Sequence, residues 1–287
     1  MPAPVLPTLA ISSWSVHRAI GILYPNAPGN DVFGAPVAKW GPGSLGLMDL
    51  PAAVRRAGFD RLHLCHFHLA GRDAGYLGEV RAALADAGVT LETLLIDDGD
   101  LSDPAARHRD IDWIGKWIDA ATILGARKAR VVAGKQKPTP AALDLAVAGL
   151  RELAGRAAGV RILTENWFDL LGGPREVDYV LDRLDGKVGL LVDYGNWKGP
   201  QKYAELAAVF GRAEDSHAKC HFEHVGEMDI HDYGRCLEVA HAAGYAGPYT
   251  LIYEGPDADE WEAVAMERDY VLDFFRQRTA APVRLAS

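Results

Sequence analysis

The sequence has no long apolar run and few cysteines. No segment of its 287 residues approaches the roughly 18 consecutive apolar residues that a membrane span needs. The first ten residues, MPAPVLPTLA, lack the charged and then apolar layout of a secretory signal, so we expect a soluble, cytoplasmic protein. Cys65, Cys220 and Cys236 are widely spaced and form no CxxC, which argues against disulfides and a thiolate zinc site. We expect them to be small buried side chains.

The chain also lacks a surplus of basic charge. Its 30 lysines and arginines face 39 acidic residues, which gives a net charge of −9. Such a surface repels the phosphate backbone that nucleic-acid-binding proteins neutralise with Lys and Arg. We therefore predict a small-molecule carbohydrate or polyol as partner, with no nucleic acid and no membrane. The oligomeric state stays open, with a homo-oligomer among the alternatives.

Eight short apolar runs recur along the chain and predict strands. Alanine- and leucine-rich stretches with helical spacing lie between most of them, for example 77–88, 111–125 and 141–155. Strands that alternate with helices predict parallel βαβ units, and eight units without a GxGxxG turn favour a closed barrel over an open sheet. We predict a single (β/α)8 TIM-barrel domain over residues 1–287. The predicted strands are 9–14, 61–66, 90–96, 129–133, 160–164, 188–192, 215–219 and 249–253.

The interval between the first and second predicted strands is too long for a single helix and its connections. Residues 18–48 contain YPNAPGN and APVAKWGPGS and show little helical spacing. A loop of this length that follows the first strand would lie at the carboxyl-terminal mouth of the barrel, where active sites of this fold are built. We interpret it as a lid with Trp40 near its tip, or else as a surface insertion. Residues 277–287 are predicted to form a flexible tail.

Four metal-ligand types end the last four predicted strands: Glu165, Asp193, His217 and Glu254. From 165 to 193 is 28 residues, from 193 to 217 is 24, and from 217 to 254 is 37, close to the roughly 30 residues of one barrel unit. If each side chain ends a consecutive strand, all four converge on one mouth. A lone carboxylate there is more often a helix cap or an ion-pair partner, but three carboxylates and one imidazole on four successive strands favour a divalent-metal site.

The donor types narrow the choice of metal. Asp and Glu supply hard oxygen ligands, and a neutral imidazole broadens the site beyond calcium. We predict Mn²⁺, with Mg²⁺, Co²⁺ or Zn²⁺ as alternatives. A metal that chelates a carbonyl and the neighbouring hydroxyl acidifies the adjacent C–H and stabilises the resulting enediolate, while a carboxylate serves as base.

The motifs LTENW, VDYGNW, SHAK and LIYEG resemble the sugar phosphate isomerase/epimerase group of xylose isomerase-like TIM barrels, from about residue 45 to 275. The resemblance implies that Glu165, Asp193, His217 and Glu254 bind the metal. In the ketose 3-epimerases of that group the two glutamates also act as acid and base, and this role would fall on Glu165 and Glu254. We therefore predict a metal-dependent isomerase or epimerase of a ketose, keto-sugar or polyol.

Two sequence differences from the ketose 3-epimerases favour an alternative function. The ketose 3-epimerases carry a histidine where this chain has Asn196, and an arginine after the strand-seven histidine that is missing here. Lys219 instead resembles the HxK of inosose-dehydratase-like members, in which a cation assists a leaving hydroxyl. The alternative function is therefore a metal-dependent lyase or dehydratase of a keto-sugar or keto-cyclitol. Lys219 could equally be a lysine that caps a strand through an ion pair.

Further side chains follow the predicted strands and could line the mouth. Aromatic faces suit the C–H side of a sugar, and His, Lys or Asn can hydrogen-bond its hydroxyl groups. Taken singly, each could equally pack or face solvent. No Gly-rich phosphate cradle follows the last two strands, which favours a non-phosphorylated substrate. The predicted substrate contacts are Trp14, His66, His68, Lys135, Trp167, Asn196 and Trp197.

Two other classes of function compete with the enzyme. Asp229 and His231 resemble a DxH segment that binds an additional zinc in the abasic-site endonucleases of the same barrel group. The acidic composition and Asn196 argue against a nuclease, and we expect Asp229 to cap the helix that follows it. The remaining alternative is a non-catalytic barrel that binds a sugar without turnover.

Overall fold

The structure, a computed structural model, describes residues 6–280. Within them eight parallel strands pair in sequence order, and β1 pairs with β8, so the sheet closes into a barrel. The predicted single-domain TIM barrel is confirmed. The strands are β1 Leu9–Ser12, β2 Arg61–Cys65, β3 Thr90–Ile96, β4 Lys128–Val131, β5 Arg161–Glu165, β6 Gly189–Asp193, β7 Ala213–His221 and β8 Tyr249–Glu254.

Helices lie between the strands and cover the outside of the barrel. Several begin with a capping hydrogen bond: the Thr139 hydroxyl accepts from the N–H of Ala142, and the Asp229 carboxylate, which the sequence predicts as a cap, accepts from the N–H of Asp232. None of the helices within residues 6–280 is long and apolar enough to cross a membrane. The helices are α1 His17–Ile20, α2 Leu50–Arg56, α3 Ala74–Asp86, α4 Arg107–Leu124, α5 Pro140–Arg156, α6 Pro174–Leu184, α7 Lys202–Phe210, α8 Ile230–Ala242 and α9 Glu260–Ala280.

The boundaries of every strand except β3 differ from the predictions by one or two residues, and two of these differences have a clear cause. The first strand ends at Ser12 rather than residue 14, because the Ser12 hydroxyl accepts from the Trp14 N–H and starts a 3₁₀ turn. The seventh strand is longer than predicted, Ala213–His221 rather than 215–219, because it pairs along most of its length with β8. The polar residues at the two ends of β7 interrupt the apolar pattern, so the sequence does not predict that the strand extends over them.

The main core lies between the strands and the surrounding helices, where almost all the buried apolar side chains pack in one cluster. Burial of this surface is the principal stabilising contribution to the fold. Cys65, Cys220 and Cys236 are free and buried, as expected.

The interval 18–48 folds against the mouth of the barrel. Asn26 Oδ1 accepts hydrogen bonds from the indole nitrogens of Trp113 and Trp117 in α4, at 2.7 and 3.2 Å. Asp31 forms ion pairs with Lys116, at 2.6 Å, and with Arg72. These contacts anchor the first half of the segment; whether it opens and closes as a lid stays a prediction.

The loop also depends on a close backbone approach. A Cβ atom on Gly21 would lie 2.2 Å from the backbone nitrogen of Gly43, and both residues have φ of +71°. Only glycine tolerates this combination of contact and conformation.

At the other end of the chain, helix α9 continues to Ala280. Residues 277–280 of the predicted tail are therefore helical, and residues 281–287 lie outside the described residues.

Candidate active site

Three of the four predicted ligands lie together at the carboxyl end of the barrel. Glu165 and Asp193 are the last residues of β5 and β6, and His217 pairs with Asp193 in the register of β6 and β7. One ligand atom from each lies within 4.8 Å of the other two. All three side chains are buried, with exposures of 3, 1 and 5 %. We call this group the Glu–Asp–His cluster.

Glu254 lies at the rim of the same cavity and outside the cluster. It ends β8 and pairs with His221, four residues beyond His217 on β7. Its side chain is exposed, and no hydrogen bond or ion pair of its carboxylate occurs within residues 6–280. The structure thus brings three of the four predicted ligands together and places the fourth at the rim.

Glu165 is fixed from two sides. The Asn196 side-chain amide donates to its Oε1 at 2.8 Å, and Nε of Arg130 lies 2.9 Å from its Oε2. Arg130 is 2 % exposed and also pairs with Asp97 beyond β3. Burial alone would lower the pKa of Arg130, but the charges of Asp97 and Glu165 raise it above its usual value. The guanidinium is therefore a permanent cation beneath Glu165.

Asp193 is fixed by its own loop. Its Oδ1 accepts from the backbone N–H groups of Gly195 and Asn196, at 2.7 and 2.9 Å, while Oδ2 lies 3.2 Å from Nζ of Lys219. Burial alone would raise its pKa, but Lys219 and His217 hold the pKa of this carboxyl below its usual range. Asn166 binds the Asp193 backbone on both sides, donating to its carbonyl and accepting from its N–H.

His217 lies between the two carboxylates. Its Nδ1 is 3.6 Å from Oε1 of Glu165 and 3.6 Å from Oδ2 of Asp193. Burial alone would lower its pKa, but hydrogen bonding to Asp193 and Glu165 and their charges raise it to about 9. His217 is therefore protonated at pH 7 and, together with Arg130 and Lys219, partly neutralises the two carboxylates.

A column of buried polar side chains continues from the cluster toward the amino ends of the strands. Nδ1 of His63 lies 3.3 Å from Nε2 of His217, and Nε2 of His63 lies 3.4 Å from Oδ2 of Asp215. Lys128 pairs with Asp215 at 3.0 Å and with Glu92 at 3.1 Å. Burial lowers the pKa of His63, so that its imidazole is neutral. A neutral imidazole accepts a hydrogen bond at one nitrogen and donates one from the other, and His63 can therefore connect His217 with the groups below it.

The cluster opens into a cavity of about 780 Å³ at the mouth of the barrel. Its volume lies within the range of ligand-binding sites. Of the residues predicted to act on or contact a substrate, seven line it: Trp14, Glu165, Trp167, Asn196, Trp197, Lys219 and Glu254.

A model of the xylose isomerase-like TIM barrel family matches residues 51–271, well over half of the chain. The chain belongs to this family. The resemblance that the four motifs predict is therefore confirmed. A search of proteins with curated functions found no significant match.

Several solved structures share the fold of this chain at low sequence identity. A xylose isomerase-like TIM barrel protein from Mycobacterium smegmatis, in complex with magnesium, is 20 % identical with a TM-score of 0.66, over 96 % of this chain and 98 % of that one. The 3-keto-D-glucoside 4-epimerase from E. coli is 18 % identical, TM-score 0.61, over 81 % and 94 %. The D-allulose 3-epimerase from Methylomonas sp. is 16 % identical, TM-score 0.65, over 97 % and 100 %.

Three predicted substrate contacts do not line the cavity in this family member. His66 is buried against Trp113 and Trp117, and its Nδ1 lies 3.7 Å from Oδ2 of Asp97. His68 is buried and lies 2.9 Å from Oγ of Ser13, while Lys135 pairs at the surface with Asp98. Both histidines lie in a 3₁₀ turn, His66–His68, that directs only the intervening Phe67 into the cavity.

Sequence reasoning missed Arg130, Asp97, His63 and Phe168. Arg130 lies in a predicted strand of mostly apolar residues, but Lys128 and Arg130 alternate with Ala129 and Val131, which is the pattern of a strand with one charged face. Phe168 has φ of +55°, unusual for a bulky residue, and stacks on Trp167 with ring centroids 4.4 Å apart. No sequence pattern marks that conformation, since Phe rarely adopts it.

Proposed function

We propose that the protein is a divalent-metal-dependent isomerase or epimerase that moves a proton next to the carbonyl of a ketose, keto-sugar or polyol. The observation that carries the proposal is the buried Glu165–Asp193–His217 cluster at the floor of a cavity in the carboxyl-terminal mouth. Buried acidic groups around a titratable histidine are costly unless they serve a cation or a reaction. The sugar epimerases among the solved relatives support a carbohydrate substrate.

The donor set fits a divalent cation. Two carboxylates and one imidazole offer ligand atoms within 4.8 Å of one another, and the raised pKa of His217 reflects the surplus of negative charge there. We propose Mn²⁺, with Mg²⁺, Co²⁺ or Zn²⁺ as alternatives, and the magnesium complex of a relative supports a hard cation. Such an ion would polarise a substrate carbonyl and acidify the neighbouring C–H.

The two glutamates differ in their freedom to carry a proton. Glu165 is held by Arg130 and Asn196, so its carboxylate keeps one position in the site. Glu254 lines the cavity, is exposed and forms no hydrogen bond or ion pair within the described part of the chain, so it can approach a substrate and exchange its proton with water. We propose that Glu254 removes the proton from the substrate carbon next to the carbonyl. An epimerase needs a second group on the opposite sugar face, and Glu165 is the candidate.

A second function, a metal-dependent lyase or dehydratase, is favoured by Lys219. Its ammonium lines the cavity beside Asp193. Burial alone would lower its pKa, but Asp193, Glu254 and Glu165 raise it, so the side chain stays charged. A fixed cation next to the reacting carbon could donate a proton to a departing hydroxyl group, which would leave as water. Loss of water from the product distinguishes this function from isomerisation.

Two variants test the assignment. Glu254→Gln should abolish proton exchange while the protein keeps most of its Mn²⁺ affinity, and His217→Ala should lose the metal. Glu223→Gln, an exposed glutamate outside the cavity, is the matched control. Metal binding is measured by titration calorimetry and proton exchange by NMR in D2O. Exchange retained in Glu254→Gln would remove this residue from the mechanism, and full metal occupancy in His217→Ala would refute the ligand assignment.

A further inference from the structure

Phe168, in the loop that follows β5, has a backbone conformation that suits glycine and strains phenylalanine. Its φ is +55° and its ψ is 178°, next to a region of backbone angles that is essentially restricted to glycine. Within residues 6–280 the only other non-glycine residue with positive φ is Asp185, which has the left-handed values common at the end of a helix. The strain at Phe168 therefore has no such local explanation.

The chain is fixed on both sides of Phe168, so the backbone there has little room to relax. On one side, the buried Asn166 side chain donates to the backbone carbonyl of Asp193 and accepts from its N–H. On the other side, Leu171 is fully buried, and its carbonyl accepts from the indole N–H of Trp197 at 3.0 Å. Strained conformations persist where the surrounding structure determines them in this way.

The fold gains little from the Phe168 side chain in return for this strain. Phe168 is 37 % exposed, whereas Phe59 and Phe210 in the core are each 1 % exposed. Glycine would adopt the same backbone angles without steric conflict. Packing within the fold therefore does not explain why a phenylalanine occupies this position.

The ring of Phe168 faces the active-site cavity. Phe168 and Trp167 both line the cavity, and their rings stack with centroids 4.4 Å apart and an interplanar angle of 22°. Cζ of Arg130 lies 5.1 Å from the centroid of the Trp167 ring. Nζ of Lys135 lies 5.6 Å from the centroid of the Phe168 ring. Because Arg130 also pairs with Glu165, the stack adjoins the Glu–Asp–His cluster.

We propose that Phe168 is a substrate-contacting residue, and that the strained backbone serves to hold its ring against the substrate. The inference rests on the proposed function, because it takes the ligand of the cavity to be the substrate of that reaction. An aromatic ring that is partly exposed in a cavity binds the C–H groups of a ligand through its contact area. Strain of this kind is concentrated at functional sites, where stability is lowered in favour of activity.

Two substitutions separate the strain from the ring. Phe168→Gly and Phe168→Ala both remove the ring, but only glycine relieves the backbone. At an ordinary position alanine is the more stabilising of the two. Here we expect urea unfolding to give the glycine variant a folded-to-unfolded ratio about fivefold higher than that of the alanine variant. Asp185→Gly and Asp185→Ala are the matched pair at a strained position outside the cavity.

Ligand binding tests the role of the ring. The probes are D-fructose, methyl 3-keto-β-D-glucopyranoside and scyllo-inosose, a ketose, a keto-glycoside and a keto-cyclitol, titrated calorimetrically with Mn²⁺ present. We expect both Phe168 variants to bind the tightest of these probes about tenfold more weakly than the wild type, with unchanged affinity for Mn²⁺. Phe168→Tyr, which retains the ring, and both Asp185 variants should bind that probe as the wild type does.

Three results would overturn the inference: a Phe168→Gly variant no more stable than Phe168→Ala, undiminished binding in either variant, or no binding of any probe to the wild type at millimolar concentration. Its failure differs from that of the proposed function. If deuterium from D2O enters a probe equally fast in the wild type and in Phe168→Gly, the enzyme assignment stands and the role of Phe168 is refuted. If the ring is needed for binding but no probe exchanges a proton, Phe168 contacts a ligand and the isomerase assignment is refuted.

Discussion

Nε2 of His217 lies 3.3 Å from Nδ1 of His63, and both rings are buried. Because Nδ1 of His217 faces Glu165 and Asp193, Nε2 is the nitrogen left to bond His63. Nε2 of His63 in turn lies 3.0 Å from the Thr250 hydroxyl and 3.4 Å from Asp215. This chain sets the orientation and tautomer of His217, in the way that outer hydrogen-bond partners orient metal-ligating histidines.

The first prediction follows from that contact. His63→Leu should lower the affinity for Mn²⁺ by roughly 10- to 100-fold, because the His217 ring loses the partner that fixes it. Titration calorimetry measures the affinity, and circular dichroism checks the fold. His68→Leu is the control, since His68 is equally buried but bonds Ser13 outside the cluster. Unchanged affinity in a folded His63→Leu protein would show that His63 has no positioning role.

The second prediction concerns the proton on His217. Its pKa of about 9 means that the metal-free protein keeps a proton on both Nδ1 and Nε2 of the ring at pH 7. A metal ligand must be deprotonated, so binding should release about one proton at pH 7, and affinity should rise with pH until about 9. Calorimetry in buffers of different ionisation enthalpy counts the protons. Affinity that is independent of pH between about 6.5 and 9 would contradict this account.

The third prediction concerns Arg130, the buried partner of Asp97 and Glu165. Arg130→Met should destabilise the metal-free protein by about 3–5 kcal/mol, because two carboxylates lose their buried cation. Added Mn²⁺ should reduce the loss, since its charge lies close to Glu165. Urea unfolding with and without metal measures both effects, and Arg235→Met, at an exposed ion pair with Glu238, is the control. A loss no larger than in the control would refute the role of Arg130.

How far the sequence predicts this site differs from residue to residue. Glu165, Asp193 and His217 were predictable because each lies near the carboxyl end of a strand, and parallel strands bring those ends together. Glu254 has the same sequence signal, but the register of β8 against β7 places it level with His221 at the rim. Strand spacing gives the order of residues around a barrel and does not give their height in it.

His66 and His68 show a second limit. Both follow a predicted strand, yet the 3₁₀ turn that begins at His66 sends them into the packing between strand and helix and leaves Phe67 facing the cavity. His63, in the middle of the same strand, gave no signal in the sequence. Its role depends on side chains from β7 and β8, more than 150 positions away, and only the closed barrel brings them together.

A fourth prediction concerns a buried carboxyl outside the active site. Glu267 of α9 is fully buried, and neither of its oxygens has a hydrogen-bond partner among the described residues. Burial raises its pKa well above the usual 4.5. The folded protein therefore keeps the proton while the unfolded chain releases it above 4.5, so this group costs more stability as pH rises.

Glu267→Met should consequently stabilise the protein by about 1–3 kcal/mol at pH 8, with the gain shrinking as the pH falls toward about 5. Urea unfolding at the two pH values measures the difference. Glu79→Met, at an exposed position in α3, should show no comparable dependence on pH. A gain that is the same at both pH values would mean that Glu267 is not protonated in the folded protein.

The most direct test of the central claim is deuterium incorporation from D2O, followed by mass spectrometry. The Mn²⁺-loaded protein and the same protein treated with EDTA are incubated with a panel of ketoses, 3-keto-glycosides and keto-cyclitols. We predict that deuterium enters the carbon next to the carbonyl of at least one compound, only with metal present and without loss of water. Exchange that persists after the metal has been removed, or no exchange with any compound at full metal occupancy, would contradict a metal-dependent isomerase or epimerase.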